Sequence, residues 1–380
     1  MNILILGCGF AGLAALKKAA ALMKNRHDVH ILAIDKNDYA TMIPSLPDVA
    51  GGKMEEEFVT ERISKFIPPD VIFKKETIRK IDFNERCVHS DSKKYPYDYL
   101  LIAAGSVTNF YKFRQNLEKI HTLHCLEDAL RIKSEFTHYA NINRTGDVVI
   151  SGGGYTGIEL GFSLKNLSRR IGSRIDIHII EQAPDILTFL PRFTKQYTDE
   201  KIHEKGIRVI TGTTIYEFDG RTVSLTNGEV IENAFVCWCA GTKFAISEVT
   251  GKHRSIGDGR ILVDEHLRVP EHPEVFACGD SAAIMRKGAP LRKAVNFAIH
   301  SGAKAGYNLA QLIQDKPLKP FKPIDLGWVI PLGEVGVGRI FNLITLEGKI
   351  PLRLHYFMCG FRNFNKRNAR KFYKMAMKPY

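Results

Sequence analysis

The chain opens on an uninterrupted apolar run, Ile3-Leu4-Ile5-Leu6, which predicts a short strand buried on both faces of a parallel sheet. A glycine-rich turn at 7–12 ends it, and residues 13–23 then have the composition of a helix. Residues 29–34 are apolar again and stop at Asp35. The same succession returns 145 residues later: apolar Val148-Val149-Ile150, a glycine turn at 152–157, a helical pattern over 158–166, and an apolar stretch over 175–180 that stops at Glu181. Two further apolar strands end in small residues, 97–104 at Gly105 and 275–278 at Gly279-Asp280. Strands alternating with helices predict an α/β fold with parallel sheets.

The glycine turns narrow the chemistry. In Gly7-Cys8-Gly9-Phe10-Ala11-Gly12, Gly7 permits the tight turn, Gly9 lets backbone approach a pyrophosphate, and Gly12 lets helix and strand close on each other. The helix that follows points free N–H groups and the positive end of its dipole at the phosphates. Asp35, 23 residues past Gly12, stands where a carboxylate accepts from a ribose hydroxyl, with Lys36 beside it. Gly152-Gly153-Gly154-Tyr155-Thr156-Gly157 repeats the pattern, and Glu181 follows Gly157 by 24 residues. Two complete units imply two dinucleotides.

At 97–105 and 275–280 the chain resembles the two-dinucleotide flavoproteins, in which a strand ending in small residues crosses between domains and a terminal Gly-Asp binds FAD. The resemblance assigns FAD to the first turn, with Ala104, Gly105, Gly279 and Asp280 around it, and NAD(H) to the second, with Gly241 nearby. Ala104 stands where the family usually has threonine. It also implies the division into domains: FAD-binding residues 1–110 and 244–330, an inserted NAD(H)-binding domain at 111–243, and a C-terminal segment at 331–380. Glu181 favours NADH over NADPH, because a carboxylate repels a 2′-phosphate and no arginine follows before Arg192.

Five stretches bring the resemblance closer to type II, non-proton-pumping NADH:quinone oxidoreductases and the related sulfide:quinone oxidoreductases: 42–52, 157–160, 181–187, 238–241 and the helix 296–309. Residues 30–60 lack the cysteine pair of disulfide reductases, and no cysteine lies between Cys125 and Cys237, where sulfide chemistry places one. Cys237 and Cys239 flank Trp238 on one strand and read as small packing residues rather than redox partners. The resemblance gives Glu159 a part in proton delivery, against a plainer packing or hydrogen-bonding role. The family's quinone-side glutamines are replaced by Asn296 and His300, both able to hydrogen-bond a quinone oxygen. The start of that helix, at Val295, directs its dipole at the flavin.

Charge adds a last object. The net charge is +13, and no acidic residue follows Glu347, while basic residues alternate with Phe, Tyr, Met and Leu to the end. Residues 349–380 predict a basic amphipathic segment, with a helix from about Phe361, that lies on an anionic membrane surface where a quinone resides. A dimerisation helix is the alternative, and nothing else in the chain resembles a nucleic-acid module. Seven cysteines without a framework, a start free of a basic leader and no long apolar run place the enzyme as peripheral on the cytoplasmic side of a membrane. The rival functions are an NADH-dependent or sulfide-type reductase using another acceptor, and a redox-sensing flavoprotein that binds a partner or membrane.

Overall fold

The structure, a computed structural model, describes residues 1–188, 190–341 and 343–378, without the side chain of Phe193; residues 379 and 380 of the C-terminal segment lie outside the described residues. The helices in chain order are α1 Phe10–Met23, α2 Leu46–Ala50, α3 Glu56–Val59, α4 Leu126–Asn143, α5 Tyr155–Ile171, α6 Arg192–Lys205, α7 Val295–Ile313, α8 Lys349–Phe361 and α9 Lys366–Met377. Two compact units are formed. One contains residues 1–40, 61–107 and 242–325; the other contains 41–60, 108–241 and the described residues from 326 onward.

The first unit is built on a six-stranded sheet in the order Arg268–Val269, His272–Ala277, Tyr99–Ile102, Asn2–Leu6, His30–Asp35, Val71–Lys75. All neighbours are parallel except the first pair. The Asn2–Leu6 strand is central, which is why Ile3 to Leu6 are buried with no alternation of polar residues. Helices α1 and α7 pack along each other at the closest spacing a backbone allows. A Cβ on Gly302 would land on the carbonyl of Ala11, and one on Gly306 on that of Ala15. A smaller sheet joins Glu248–Thr250, Ile78–Asp82, Cys87–Ser90 and Lys94–Pro96.

The second unit repeats the theme with five parallel strands, ordered His121–Thr122, Ala234–Trp238, Thr145–Ser151, Arg174–Glu181, Ile207–Thr211. Helix α5 packs on this sheet, and α2, from the 41–60 segment, packs on α4 and α5. An antiparallel meander, Gly327–Leu332, Val335–Ile340 and Ile344–Gly348, leads into α8.

The C-terminal segment differs in register from the helix expected from about Phe361. Phe361 ends α8, and α9 begins at Lys366 because the Asn365 side chain accepts from the Asn368 N–H at 2.7 Å, a helix N-cap that sets the new start. Helix α8 buries Pro351, Leu352, His355, Tyr356, Cys359 and Gly360 while exposing Ile350, Arg353, Phe357 and Phe361. Helix α9 buries Asn368, whose amide donates to the Thr60 carbonyl at 3.0 Å, and Phe372.

The α1–α7 contact is testable. Gly302→Ala should destabilise the protein by about 1–3 kcal/mol, since the added methyl meets backbone rather than a movable side chain. Thermal denaturation, compared with Gly257→Ser at an open position of ordinary φ, measures the difference.

Candidate functional site

Each unit carries one nucleotide cradle, and the two correspond atom for atom. In the first, Gly7 has φ +90°, its N–H donates to the Ile34 carbonyl at 2.7 Å, and a Cβ on it would strike Ala103 and Ala104. In the second, Gly152 has φ +108°, donates to Ile180 at 2.7 Å, and would strike Cys239 and Ala240. The residues after strands Tyr99–Ile102 and Ala234–Trp238, namely Ala103-Ala104-Gly105 and Cys239-Ala240-Gly241, thus fill the space a side chain would need. Gly105 and Gly241 carry positive φ where those strands turn away. Gly12 and Gly157 hold the helices down, for a Cβ on either would enter the carbonyl of Gly7 or Gly152.

The middle glycines of the two turns behave differently. Gly9 and Gly154 have no neighbour within 4 Å of a built Cβ, so each opens onto free space. Each is the N-cap of its helix, with no side chain capping it and no acid in the first turn. The N–H groups of the first turn belong to Phe10 and Ala11 in one cradle and to Tyr155 and Thr156 in the other, and a helix start with no acidic residue in its first turn suits a pyrophosphate.

The carboxylates at the second-strand ends are also equivalent. Asp35 accepts from Cys8 N–H at 2.6 Å and Asn37 N–H at 2.8 Å. Glu181 accepts from Gly153 N–H at 2.7 Å and Ala183 N–H at 2.8 Å. Turn and strand end are tied through the acid, which leaves each carboxylate fixed at the cradle's edge. Burial raises the Asp35 carboxyl above the usual range, opposed by those two N–H bonds. Lys36 follows it at the edge.

Within the first unit, a cleft of about 250 Å³ gathers Gly279, Asp280, Lys293, Ala294 and the start of α7. Asp280 accepts from the Ser106 hydroxyl at 3.2 Å, and the Gly105 N–H and Gly279 N–H donate to Ser281 and Ser301, each at 3.0 Å. Burial raises Asp280, with Lys293 opposing. Val295 opens α7 directly after Ala294, with no capping side chain. These groups fit the polar part of a flavin nucleotide: an acid for its hydroxyls and an uncapped helix end. Asn296 is buried and donates to the Ile324 carbonyl at 2.6 Å, and His300 is exposed one turn further along α7. Both belong to this unit, whereas Glu159 belongs to the other.

Glu159 lies on α5, in a pocket of about 470 Å³ lined also by Pro47, Asp48, Lys53, Arg170, His355 and Tyr356. Burial, then the charge of Asp48, hold its carboxyl well above the usual range. Lys53 Nζ donates to the Tyr356 hydroxyl at 2.8 Å, which donates to Asp48 Oδ1 at 3.1 Å. Burial raises Asp48, lowers Lys53 to about 8 and, with Lys53 beside it, lowers His355 to about 4. Only Glu159 of this group was a sequence candidate. Asp48 falls inside the resembling stretch 42–52, Lys53 directly follows it, and Tyr356 looks in sequence like any aromatic of the tail. Cys237 and Cys239 act as packing: burial pushes Cys239 up to about 12 and Cys237 well above the ordinary thiol range, so neither is a ready nucleophile.

Comparison with known proteins agrees with this geometry. The sequence profile of the family described as pyridine nucleotide-disulphide oxidoreductase matches residues 1–305. A type II NADH:quinone oxidoreductase of Staphylococcus saprophyticus is 24% identical over 375 residues, 92% of this chain and 91% of that protein. Among solved structures, NDH2 from Plasmodium falciparum in complex with NADH superposes with a TM-score of 0.83 at 17% identity, over 99% of this chain and 98% of that one. The sulfide:quinone oxidoreductase of Aquifex aeolicus gives 0.79 at 19% identity, over 99% and 95%.

Open space at Gly9 and Gly154 separates binding from folding. Gly9→Ala should leave the melting temperature of the nucleotide-free protein within about 1 °C, since surface changes of this kind stay within about 0.5 kcal/mol, while its methyl stands where the pyrophosphate approaches. FAD content after purification, read from flavin absorbance, should fall, and Gly154→Ala should raise the KM for NADH without loss of flavin.

Proposed function

Since the chain belongs to the pyridine nucleotide-disulphide oxidoreductase family, we propose that it is an FAD-dependent enzyme that oxidises NADH and reduces a quinone, without pumping protons, as a peripheral protein at a membrane surface. The observation that carries the reading is the pair of equivalent cradles, each with an uncapped helix end and an anchored carboxylate. FAD, held in the first cradle and beside Asp280, would supply the two-electron chemistry between NADH and an acceptor. The protein's own residues do the rest. Glu181, fixed through both oxygens, selects the unphosphorylated ribose of NADH. Asp280 and the start of α7 orient the flavin nucleotide.

Quinone reduction consumes protons as well as electrons. Burial and Asp48 raise the Glu159 carboxyl well above the usual range, toward its protonated form, and it is the group in the pocket suited to give a proton to a reduced acceptor. Asn296, held by Ile324, and exposed His300 are assigned to hydrogen bonds with the acceptor. A sulfide-type chemistry has less support, because no cysteine lies between Cys125 and Cys237.

The membrane assignment rests on surface composition. Seven exposed large apolar residues, Phe341, Leu343, Ile344, Ile350, Phe357, Phe361 and Met377, fall in the C-terminal segment of the second unit, interspersed with exposed Lys349, Arg353, Lys366, Arg370 and Lys374. Ile350, Arg353, Phe357 and Phe361 share one face of α8, opposite the face that packs inward. Aromatic and aliphatic groups beside basic ones suit the headgroup region of an anionic bilayer. No helix among the described residues is long and apolar enough to cross a membrane.

Flavin kinetics and vesicle binding test these assignments. NADH should bleach the flavin of the purified enzyme and a short-chain quinone should restore it; failure of every quinone tried removes the acceptor. Glu159→Gln should slow quinone-dependent turnover by about a hundredfold with flavin reduction unchanged. Separately, Ile350→Glu with Phe361→Glu should abolish salt-sensitive binding to phosphatidylserine vesicles while circular dichroism stays unchanged, because both side chains are largely exposed.

A further inference from the structure

We propose that Lys53, Tyr356 and Asp48 form a proton-supply line that recharges Glu159 from solvent during acceptor reduction, a proposal that rests on the quinone-reducing reading above. The stoichiometry creates the need. NADH delivers two electrons and one proton as a hydride, quinol needs two of each, and so one proton per turnover comes from water. A buried carboxyl that gives up its proton has to be reloaded.

The hydrogen-bond order supplies a path. Tyr356 stands between a donor and an acceptor: Lys53 Nζ is 2.8 Å from its hydroxyl oxygen, and the hydroxyl is 3.1 Å from Asp48 Oδ1. A phenol in that position receives a proton from the ammonium while passing its own to the carboxylate, and ends as it began. The transfer converts a charged pair, Lys53 ammonium and Asp48 carboxylate, into a neutral amine and a carboxylic acid. Burial moves both groups toward those neutral forms, lowering Lys53 to about 8 and raising Asp48. Asp48 and Glu159 line the same pocket, near enough for the charge of Asp48 to raise the Glu159 carboxyl, and a Glu159 carboxylate left by proton donation recovers its proton from the protonated Asp48. Lys53 is half-buried and reprotonates from solvent.

The surroundings leave the line with one cation that changes charge near neutrality. Around Lys53 stand Asp48, Glu334, Arg170 and His355. Arg170 donates to the Gly51 carbonyl, and a guanidinium keeps its charge. Glu334 is paired with Lys205 at 3.1 Å. His355, lowered to about 4, is a neutral imidazole at pH 7, and the Cys359 thiol, 3.7 Å from it, is pushed up to about 12. Arg362 lies near Cys359 and stays protonated. Lys53, Tyr356 and Asp48 are positioning residues acting through Glu159.

The test compares two acceptors on NADH-reduced holoenzyme in a stopped-flow instrument: a short-chain ubiquinone, which takes protons with its electrons, and ferricyanide, which takes electrons alone. Tyr356→Phe and Lys53→Arg should each slow reoxidation by the quinone at least about tenfold, while reduction by NADH and reoxidation by ferricyanide stay within about twofold. The wild-type quinone rate should fall as pH rises through about 8, where the ammonium form is lost, and Lys53→Arg should lack that limb. Arginine preserves charge but does not release a proton at these pH values. A Lys53→Arg enzyme with the full quinone rate therefore overturns the proposal, as does an equal loss with both acceptors, which marks a packing role. A wild-type enzyme reoxidised by ferricyanide but by no quinone overturns the functional reading itself and the supply line with it.

Discussion

A helix N-terminus pressed against the first carbonyl of its own turn is the contact on which both units depend. Gly12 meets Gly7, and Gly157 meets Gly152, at a separation that leaves no room for a side chain. Because the helix is held there, its first amides converge on one point above the strand ends instead of splaying into solvent. The residues after strands Tyr99–Ile102 and Ala234–Trp238 can then slide beneath the turn, as Ala103 and Ala104 do in one unit and Cys239 and Ala240 in the other. The acid at the second strand's end reaches the turn amide, Asp35 to Cys8 and Glu181 to Gly153. Widen the first contact by one methyl group and each of the later ones loses its geometry.

This chain of short-range constraints explains why the cradles are legible in the sequence. Glycines at fixed offsets, an apolar run before them and an acid 23 or 24 residues after the last glycine all lie within one stretch of chain. The partners that matter over longer separations leave no such mark. Residues 41–60 belong to the unit built on the second sheet, where α2 packs on α4 and α5, yet nothing local in Pro44, Pro47 or Asp48 says which sheet they meet. Lys53 reads as a surface lysine until Tyr356, 303 residues away, closes over it.

The C-terminal segment shows a different limit. Its charge and aromatic content are plain in the sequence, but α8 carries apolar residues on both faces, and periodicity cannot tell an inward stripe from an outward one. Leu352, Tyr356 and Cys359 turn in; Ile350, Phe357 and Phe361 turn out. The break before α9 depends on one asparagine cap, a signal easily hidden among the lysines and arginines around it. The same helix therefore contributes to the surface and to the pocket: its outer face is available to a bilayer, and its inner face supplies Tyr356 and His355 to the Glu159 cavity.

Stability alone gives no reason for that cavity's contents. Placing an ammonium, two carboxyls and a phenol in a half-buried pocket carries a desolvation cost that their mutual attraction does not reliably recover, and apolar side chains of similar volume would serve the fold as well. The groups are instead arranged so that each is displaced toward neutrality: Glu159 and Asp48 upward, Lys53 and His355 downward. A pocket that shifts its acids and bases toward their neutral forms narrows the energy gap between its charged and uncharged states. Small gaps serve proton movement and do little for rigidity, so the same burial that makes the cluster costly to the fold makes it useful to a reaction that takes up a proton from water at every turnover.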